Sequence, residues 1–525
     1  MMRTVPARTG LWLAFVSLGF AGTAAGAAAQ DDVTFTGDVA PILYESCVRC
    51  HRPGEVSPMA LRTYEETRPW ANAIKESVRT RQMPPWFADP AYGTFANDPS
   101  LSEEEIDTIV RWVDNGVREG DPADLPELPQ FVLGWQLGEP DFIIALPEVS
   151  VPADGPDYFP NLNVTVDLPE DRWVRAIEVR PSAREVAHHI VLFSSPGGAG
   201  RSGFFNVLAV WAVGTPPTVY ADGMGRWLRN GQTINTNMHY HPNGTAATDQ
   251  ARIGFYFGEG ELKKEITAAL PGNMTFEIPA RAPNHEVTAS YIIDQDISVV
   301  SFFPHMHLRG NDMRLTALFP GGRRETLLNI PGYSFNWQLF YYPETLVSLP
   351  KGTRIDIVAH YDNSESNPTN PDHTRSVGFG LQSTDEMMFG MFEFIADEGV
   401  SPKPTSNRSR IDALLSTLPG DSAYRVQLQM GRRTVSTALH LPREGQGTWY
   451  VPMQRQLMTL SATDIAWNGN EYRFNVQMRL GPIGGNFVVS GTVSEDGTIR
   501  GDFESDGAGT VPFSAFEGVR TGAAP

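Results

Sequence analysis

The sequence predicts a mainly β protein that begins with a small helical unit and ends with a small β domain. Among its 525 residues are 49 glycines and 41 prolines, about 17% of the chain against roughly 12% in an average protein. This excess favours turns and short strands over long helices. Apolar and polar residues alternate with a period of two over 173–180 and 354–361, which is typical of strands with one buried face.

Changes in this pattern divide the chain after its leader. Prolines concentrate in two short linkers, 121–129 and 401–407, and in a break at 278–284. Such clusters separate elements that pack independently. The sequence therefore predicts a helical unit over 32–124, two β halves over 130–282 and 283–400, and a final β segment over 407–525.

Charge and cysteine content exclude two classes of protein. The formal net charge is −20, and a surface of that sign repels phosphate backbones, so we expect no nucleic-acid partner. The two cysteines both lie in one Cys-x-x-Cys-His run. A disulfide framework is thus excluded, and burial of a large core must supply the stability.

The first 29 residues are typical of a secretory signal peptide. Arg3 and Arg8 form a basic start, an apolar run rich in alanine and glycine follows from Leu11, and 27–29 offers a small-residue cleavage site. The run is short and weakly apolar for an uncleaved span of roughly 20 residues. No later stretch would span a membrane, so we expect an exported bacterial protein, periplasmic or secreted.

The clearest helix signal lies near the end of the helical unit. Ser102 and Glu105 form a capping-box pattern, and Ile106, Ile109 and Val113 follow at helical spacing. Gly116 is placed to end that helix.

Cys47, Cys50 and His51 form the c-type haem attachment pattern. The thiols add to the haem vinyl groups, and the imidazole serves as the proximal iron ligand. Zinc would need two further ligands, but the first 125 residues contain no other cysteine or histidine. A thioredoxin-type site would need a βαβ context, which is absent. The motif therefore predicts one covalent haem c.

The distal iron ligand is expected to be a methionine, either Met59 or Met83, since no histidine remains in this unit. Met59 lies only eight residues beyond His51 and would have to fold back sharply. Met83 precedes two prolines, a stiff segment that resembles the axial Met-Pro-Pro of small bacterial cytochromes c. We therefore predict Met83.

Six of the 11 histidines form three close pairs: His188-His189, His239-Tyr-His241 and His305-Met-His307. In an H-x-H strand both imidazoles point to one face, close enough to share a metal. Adjacent histidines point to opposite faces, so the first pair needs a twist or bulge to do so. The pairs predict metal binding, and spacing alone leaves zinc and copper open.

With the later Thr-Asp-Glu-Met387, these pairs resemble the copper type II monooxygenases, the family of peptidylglycine alpha-hydroxylating and dopamine beta-monooxygenases. The resemblance covers about 130–400. It rests on an ordered set of weak motifs: Val-Ala-His188-His189, then Met-His239-Tyr, then Pro-His305-Met-His307, then Ser-Thr-Asp-Glu-Met387.

The resemblance implies two jelly-roll-like β-sandwich domains, each with one copper, facing across an open cleft. An electron-transfer copper would be bound by His188, His189 and His239, with His241 as the rival third ligand. An oxygen-activating copper would be bound by His305, His307 and Met387, with Met388 as the rival. A thioether suits Cu(I) and disfavours zinc.

Three positions depart from the family pattern. Phe303 stands where the peptide-hydroxylating members hold the substrate carboxylate with an arginine. Phe389 and Met391 replace an asparagine and a tyrosine beyond the methionine ligand. We therefore expect a less polar substrate than a peptidyl-glycine.

Together the motifs predict an exported haem c- and copper-dependent monooxygenase that hydroxylates a C–H bond of an unknown small, apolar substrate with O2. Electrons from a periplasmic redox protein or small reductant would enter through the haem and pass to the three-histidine copper. The alternative is a non-catalytic electron-transfer or copper-binding protein. The final segment, with only His440 as a histidine and no reactive cluster, is expected to be an accessory domain.

Overall fold

The computed structural model describes residues 33–521 apart from 56, 58, 133, 196–206, 213–214, 381, 404–405, 431–432, 454–455, 481–482 and 506–512. The predicted signal peptide, residues 1–29, lies outside the described residues. Strands dominate the described chain and its helices are few and short, so the mainly β class is confirmed. Among the described helices, none combines the length and apolarity needed to cross a membrane.

The chain begins with short helices packed around one apolar core. Phe35, Leu43 and Trp112 are fully buried there. The predicted capping box is confirmed: Ser102 and Glu105 each accept the other's backbone N–H, and a 12-residue helix follows. The elements are a π-helical turn Phe35–Val39, α1 Ala40–Ser46, α2 Tyr64–Thr67, a 3-10 turn Arg68–Trp70, α3 Ala71–Arg79, α4 Glu103–Asp114 and a 3-10 turn Pro122–Asp124.

The second part, here the first two-sheet unit, consists of two main sheets that share one apolar core. One sheet has the order β1-β11-β4-β8-β12 with β7 beside β4, the other β3-β9-β5-β6, and β2 pairs with β10. The strands are β1 Phe142–Ala145, β2 Val149–Val151, β3 Asn161–Thr165, β4 Arg172–Arg180, β5 Ala187–Ser195, β6 Val207–Ala212, β7 Thr218–Val219, β8 Met224–Leu228, β9 Thr233–Tyr240, β10 Ala247–Asp249, β11 Arg252–Phe257 and β12 Lys264–Glu265.

The third part, the second two-sheet unit, has sheets of order β13-β22-β16-β19 and β15-β20-β17-β18, and a β14-β21 pair. Two of its strands, β13 and β14, precede residue 283, so the unit begins earlier than the predicted boundary. Both pair with strands far along the chain, and local sequence cannot reveal such pairing. The strands are β13 Thr267–Ala269, β14 Glu277–Ile278, β15 His285–Ile292, β16 Ile297–His305, β17 Gly310–Leu318, β18 Arg324–Ile330, β19 Val347–Leu349, β20 Arg354–Tyr361, β21 Val377–Gly378 and β22 Phe389–Ala396.

The last part is a closed antiparallel barrel of eight strands, each paired with the next and the last with the first. Closure removes the exposed sheet edges. Trp449, Phe474 and Phe516 fill its interior, and the Asp496-Gly497 hairpin turn is confirmed between β28 and β29. The elements are α5 Asn407–Leu415, β23 Ala423–Met430, β24 Arg433–His440, β25 Gly447–Met453, β26 Gln456–Asn468, β27 Glu471–Leu480, β28 Ile483–Val493, β29 Thr498–Ser505 and β30 Phe513–Arg520.

The helical unit lies against both two-sheet units. Glu55 pairs with Arg52 within the helical unit and with Arg184 of the first two-sheet unit, at 2.7 and 2.9 Å. Trp86 and Phe87 pack on the core of the second two-sheet unit. The chain after α3 is thereby held against residues 331–346, the bridging loop, which connects β18 to β19.

Candidate metal centres

Strand β5 carries the first histidine pair, and a local irregularity of the strand brings the two imidazole rings together. The register with β9 shifts between Ala187 and His189. This is the departure from regular pleating that adjacent histidines need in order to share a metal. His189 is paired with His239 on β9, which brings the third imidazole beside the first two.

The Nδ1 atoms of three imidazoles converge. His189 Nδ1 lies 3.4 Å from Nδ1 of His188 and 3.4 Å from Nδ1 of His239. One ligand atom from each of the three falls within 4.8 Å of the others. Three imidazole nitrogens suit copper or zinc, so the donor set fits a metal without deciding between these two.

Asp157 orients the third histidine. Nε2 of His239 donates to Asp157 Oδ2 at 2.7 Å, and Nδ1 of His241 donates to Asp157 Oδ1 at 2.8 Å. With its proton on Nε2, His239 presents an unprotonated Nδ1 to the cluster, as metal-binding histidines with a carboxylate partner do. His241 lies past the end of β9, with its side chain 68% exposed, so His239 and not His241 joins the cluster.

Burial keeps two of the three imidazoles neutral. It lowers the pKa of His188 to about 4 and that of His189 well below its usual value. The charge that each neighbouring imidazole would carry lowers both pKa values further. The two hydrogen bonds from His239 and His241 outweigh burial at Asp157 and lower its pKa to about 2. Neutral imidazoles beside an ionised carboxylate are ready to accept a cation.

The second pair lies at the end of β16. Met306 is fully buried in the core of its unit, so His305 and His307 turn to the opposite side, with ring centroids 5.2 Å apart. Nδ1 of His305 lies 2.8 Å from Gln338 Oε1, and Nδ1 of His307 lies 3.2 Å from the carbonyl oxygen of Asp385. Because these contacts occupy Nδ1, Nε2 remains on each ring to bind a metal.

Burial also keeps the second pair neutral. It lowers the pKa of His305 to about 4 and that of His307 to about 3. Neither ring is protonated at neutral pH, so neither carries a positive charge that would repel a metal ion.

The two candidate methionines point in different directions. Met388 is fully buried in the core of the second two-sheet unit, to which Met306 also belongs. Met387 is half-buried and packs on the apolar cluster that includes Phe303 and Phe389. The His305 ring stacks parallel to Phe303, with the ring centroids 6.3 Å apart. Met387 therefore shares an apolar cluster with the ring that stacks on His305, and Met388 belongs to the core instead. Met387 as a copper ligand stays a prediction.

A buried carboxylate fixes the chain between the second histidine pair and Met387. Glu386 accepts the backbone N–H of His307 at 2.9 Å and that of Arg309 at 2.6 Å. The Arg309 guanidinium lies 4.0 Å from the same carboxylate and donates to the carbonyl oxygen of Thr384. The local Thr-Asp-Glu-Met segment is thus tied to the H-x-H loop by hydrogen bonds.

One phenyl ring separates the two histidine groups. The Phe335 centroid lies 6.0 Å from His189, 5.8 Å from His239 and 5.7 Å from His307. The charges of His305 and His307 also reach His189 and lower its pKa. The two candidate centres are therefore neighbours.

Two sets of contacts join the two-sheet units, between which the family resemblance implies an open cleft. Val191 and Val210 of the first two-sheet unit pack against Phe303, Phe389 and Met391 of the second in one apolar cluster. A buried ion pair between Arg226 and Glu393 also joins the units. The two units therefore meet at these residues.

The Cys-x-x-Cys-His motif follows α1 directly. His51 N donates to Cys47 O at 3.0 Å, and Ser57 Oγ lies 2.7 Å from His51 Nδ1. Burial raises the pKa of Cys47 to about 12 and raises that of Cys50. The thiols are therefore protonated, and His51 has Nε2 left for iron, so these three residues fit a covalent haem.

Two methionines near this motif differ in their contacts. Met59 packs on the core of the helical unit, and its Sδ lies 3.7 Å from the Ser57 hydroxyl that holds His51. Met83 is half-buried after α3, with its N–H donated to Ser77 O. Met83 as the distal ligand stays a prediction.

The sequence alone did not reveal Asp157, Phe335 or Gln338. Asp157 lies in a loop of turn-forming residues, and nothing in its surroundings distinguishes it. The aromatic-rich run 333–342 of the bridging loop was a signal, because so many rings in one long loop indicate a packed rather than a solvated segment.

A scan against protein-family models and a search of curated proteins both found no match to this chain.

Proposed function

We propose that the protein is an exported haem c- and copper-dependent monooxygenase that hydroxylates a C–H bond of a small, apolar substrate. One observation carries the proposal. Three convergent imidazole Nδ1 atoms, from His188, His189 and His239, lie one phenyl ring away from a second histidine pair.

The reaction takes a C–H bond, O2, two electrons and two protons to a C–OH group and water. When bound, two coppers would each hold one electron and one of them would activate O2, while the haem would deliver electrons singly. The electrons come from a periplasmic redox protein or a small reductant.

The ligands divide these roles by their chemistry. Three imidazoles at the first centre suit an electron relay with copper in either oxidation state. At the second centre, a Met387 thioether that joined His305 and His307 as a ligand would favour Cu(I), the state that reacts with O2, and disfavour zinc. The Asp157 and Gln338 contacts hold the imidazoles in metal-binding tautomers.

The surroundings of Met387 support an apolar substrate. Phe303, Phe389 and Met391 are 2%, 7% and 6% exposed, and they pack against valines of the first two-sheet unit. A substrate that replaces these contacts must offer apolar surface in return, since a polar group would lose its hydrogen bonds to water there.

Contacts of the haem motif support electron entry at the three-histidine centre. Cys50 packs on the core of the first two-sheet unit. Glu55, four residues past His51, pairs with Arg184, which lies in the turn that leads to His188 on β5. The motif and the first histidine cluster are thus joined through one short stretch of chain.

The contacts between the two two-sheet units favour one alternative, a non-catalytic electron-transfer or copper-binding protein. Such a protein would need both metal types and neighbouring centres but no space for a substrate. O2 consumption coupled to a hydroxylated product separates the two functions.

Metal analysis with a haem spectrum is the first experiment. We expect about one c-type haem and two coppers per chain. His305→Ala and His307→Ala should each remove one copper and leave the other near His188. A chain that takes up two zinc ions in preference to copper, with no redox change, would contradict the proposal.

A further inference from the structure

The bridging loop contacts both histidine groups and the helical unit. Phe335 lies between the groups, Trp337 lies 6.5 Å from His188 by ring centroids, and Gln338 contacts His305. A few residues later, the loop meets the segment 86–97 that follows α3. One short loop therefore links the helical unit to the second candidate centre.

Gln338 fixes which nitrogen of His305 is free. The side chain is 1% exposed. Its Nε2 faces the carbonyl oxygen of Phe335 at 3.5 Å, so its Oε1 is the atom that faces His305 Nδ1 at 2.8 Å. An amide oxygen only accepts, so Nδ1 carries the proton and Nε2 keeps its lone pair for a metal.

Asn97 of the helical unit holds the loop beside Gln338. Its Nδ2 donates to Phe340 O at 2.8 Å, and its Oδ1 accepts from Tyr342 N at 3.0 Å. The Trp86 and Phe95 rings pack against Tyr341 at 4.7 and 5.7 Å. Since both backbone groups that Asn97 binds lie within four residues of Gln338, we expect a change at Asn97 to shift the backbone that carries the amide.

We propose that Gln338 is a positioning residue for His305, and that the helical unit sets its position through Asn97. The proposal rests on the proposed function in one respect, the role of His305 as a copper ligand. It goes further because it gives the helical unit a second role. Besides carrying haem, this unit shapes the oxygen-side copper site through the bridging loop.

The test compares Gln338→Leu and Asn97→Ala with the parent full-length protein. We expect Gln338→Leu to weaken Cu(I) binding at the His305 site by about 10- to 100-fold in competition with a chelator, as removal of a ligand's hydrogen-bond partner does. Asn97→Ala should give a smaller loss in the same direction. The Cu(II) electron paramagnetic resonance signal of this site should shift in both variants.

Asn329→Ala is the matched control. Asn329 Nδ2 donates to Asp89 Oδ2 at 3.0 Å, so this variant removes a hydrogen bond between the same two units but leaves the loop contacts in place. It should leave both the affinity and the signal of the His305 site unchanged. Copper binding at the three-histidine site should stay unchanged in all three variants, and it shows that each variant has folded.

The outcomes distinguish failure of the proposed function from failure of the positioning role of Gln338. A parent protein without a second, His305-dependent copper overturns the proposed function. A parent with that copper, whose affinity and signal survive Gln338→Leu, overturns the positioning role. Equal effects of Asn97→Ala and Asn329→Ala would show that the helical unit only stabilises the fold.

Discussion

Oδ2 of Asp157 lies 2.7 Å from Nε2 of His239, the ring nitrogen that points away from the histidine cluster. The same carboxylate also accepts from His241, so it selects the tautomer of one ligand while holding a second histidine outside the cluster. A carboxylate in this place makes the bound imidazole a better donor to a metal.

Asp157→Ala should weaken copper binding at the three-histidine site by about 10- to 100-fold, because His239 loses the partner that fixes its tautomer and ring orientation. Chelator competition on the purified protein measures the affinity. His241→Ala is the control, since it removes only the outer partner of Asp157 and should have a much smaller effect. Equal affinities in Asp157→Ala and the parent would show that His239 needs no orienting carboxylate.

Met387→Leu should spare the three-histidine copper but strongly suppress product formation, because leucine has a similar volume and no sulfur to stabilise Cu(I). Anaerobic reduction followed by an oxygen pulse measures stored electrons and product. Met388→Leu is the matched control: as a volume-conserving core change it should cost less than about 1.5 kcal/mol of stability and leave copper bound. Undiminished product from Met387→Leu would make Met387 a packing residue.

Cys47→Ala or Cys50→Ala should abolish haem attachment through two thioethers, because each change removes one thiol. Met83→Ala should alter the axial ligation of the ferric haem, as measured by its absorption spectrum, whereas Met59→Ala should not. Copper content should survive all four changes, since the copper ligands lie in other units. If the spectrum changes in Met59→Ala alone, the distal assignment to Met83 is wrong.

Copper-free protein should lose stability as the pH falls from 6.5 to about 4. Burial depresses the pKa of His188 and His305 from 6.5 to about 4 in the folded chain. Between these values the unfolded chain binds more protons, so stability is fully present above pH 6.5 and lost as the pH falls through the folded pKa. The melting temperature in a pH series measures this.

His305→Gln is the control for that series, because glutamine does not titrate. Its melting temperature should fall less steeply with acid than that of the parent. Identical slopes would mean that His305 contributes nothing to the acid sensitivity.

Local patterns in the sequence were enough for the features that depend on neighbours along the chain. The Ser102–Glu105 capping box, the strand over 354–361 and the Asp496-Gly497 turn all lie where the pattern predicts them. The H-x-H spacing likewise predicted His305 and His307 on one side, and their rings lie 5.2 Å apart with Met306 in the core, although β16 ends at His305.

Long-range pairing decided what the sequence left open. His239 was the predicted third ligand and His241 its rival, and the end of β9 and the position of Asp157 separate the two. Tertiary packing likewise turned Met388 into the core and left Met387 half-buried against another apolar cluster.

Contacts between the two-sheet units, and those of Phe335 with both histidine groups, join distant parts of the chain. Asn97 and the bridging loop are joined across 245 positions. The sequence by itself determined which side chains are available for metal and haem, because ligand chemistry belongs to the residue. Only the tertiary structure decided which of them meet, because contacts between distant segments depend on how whole sheets pack.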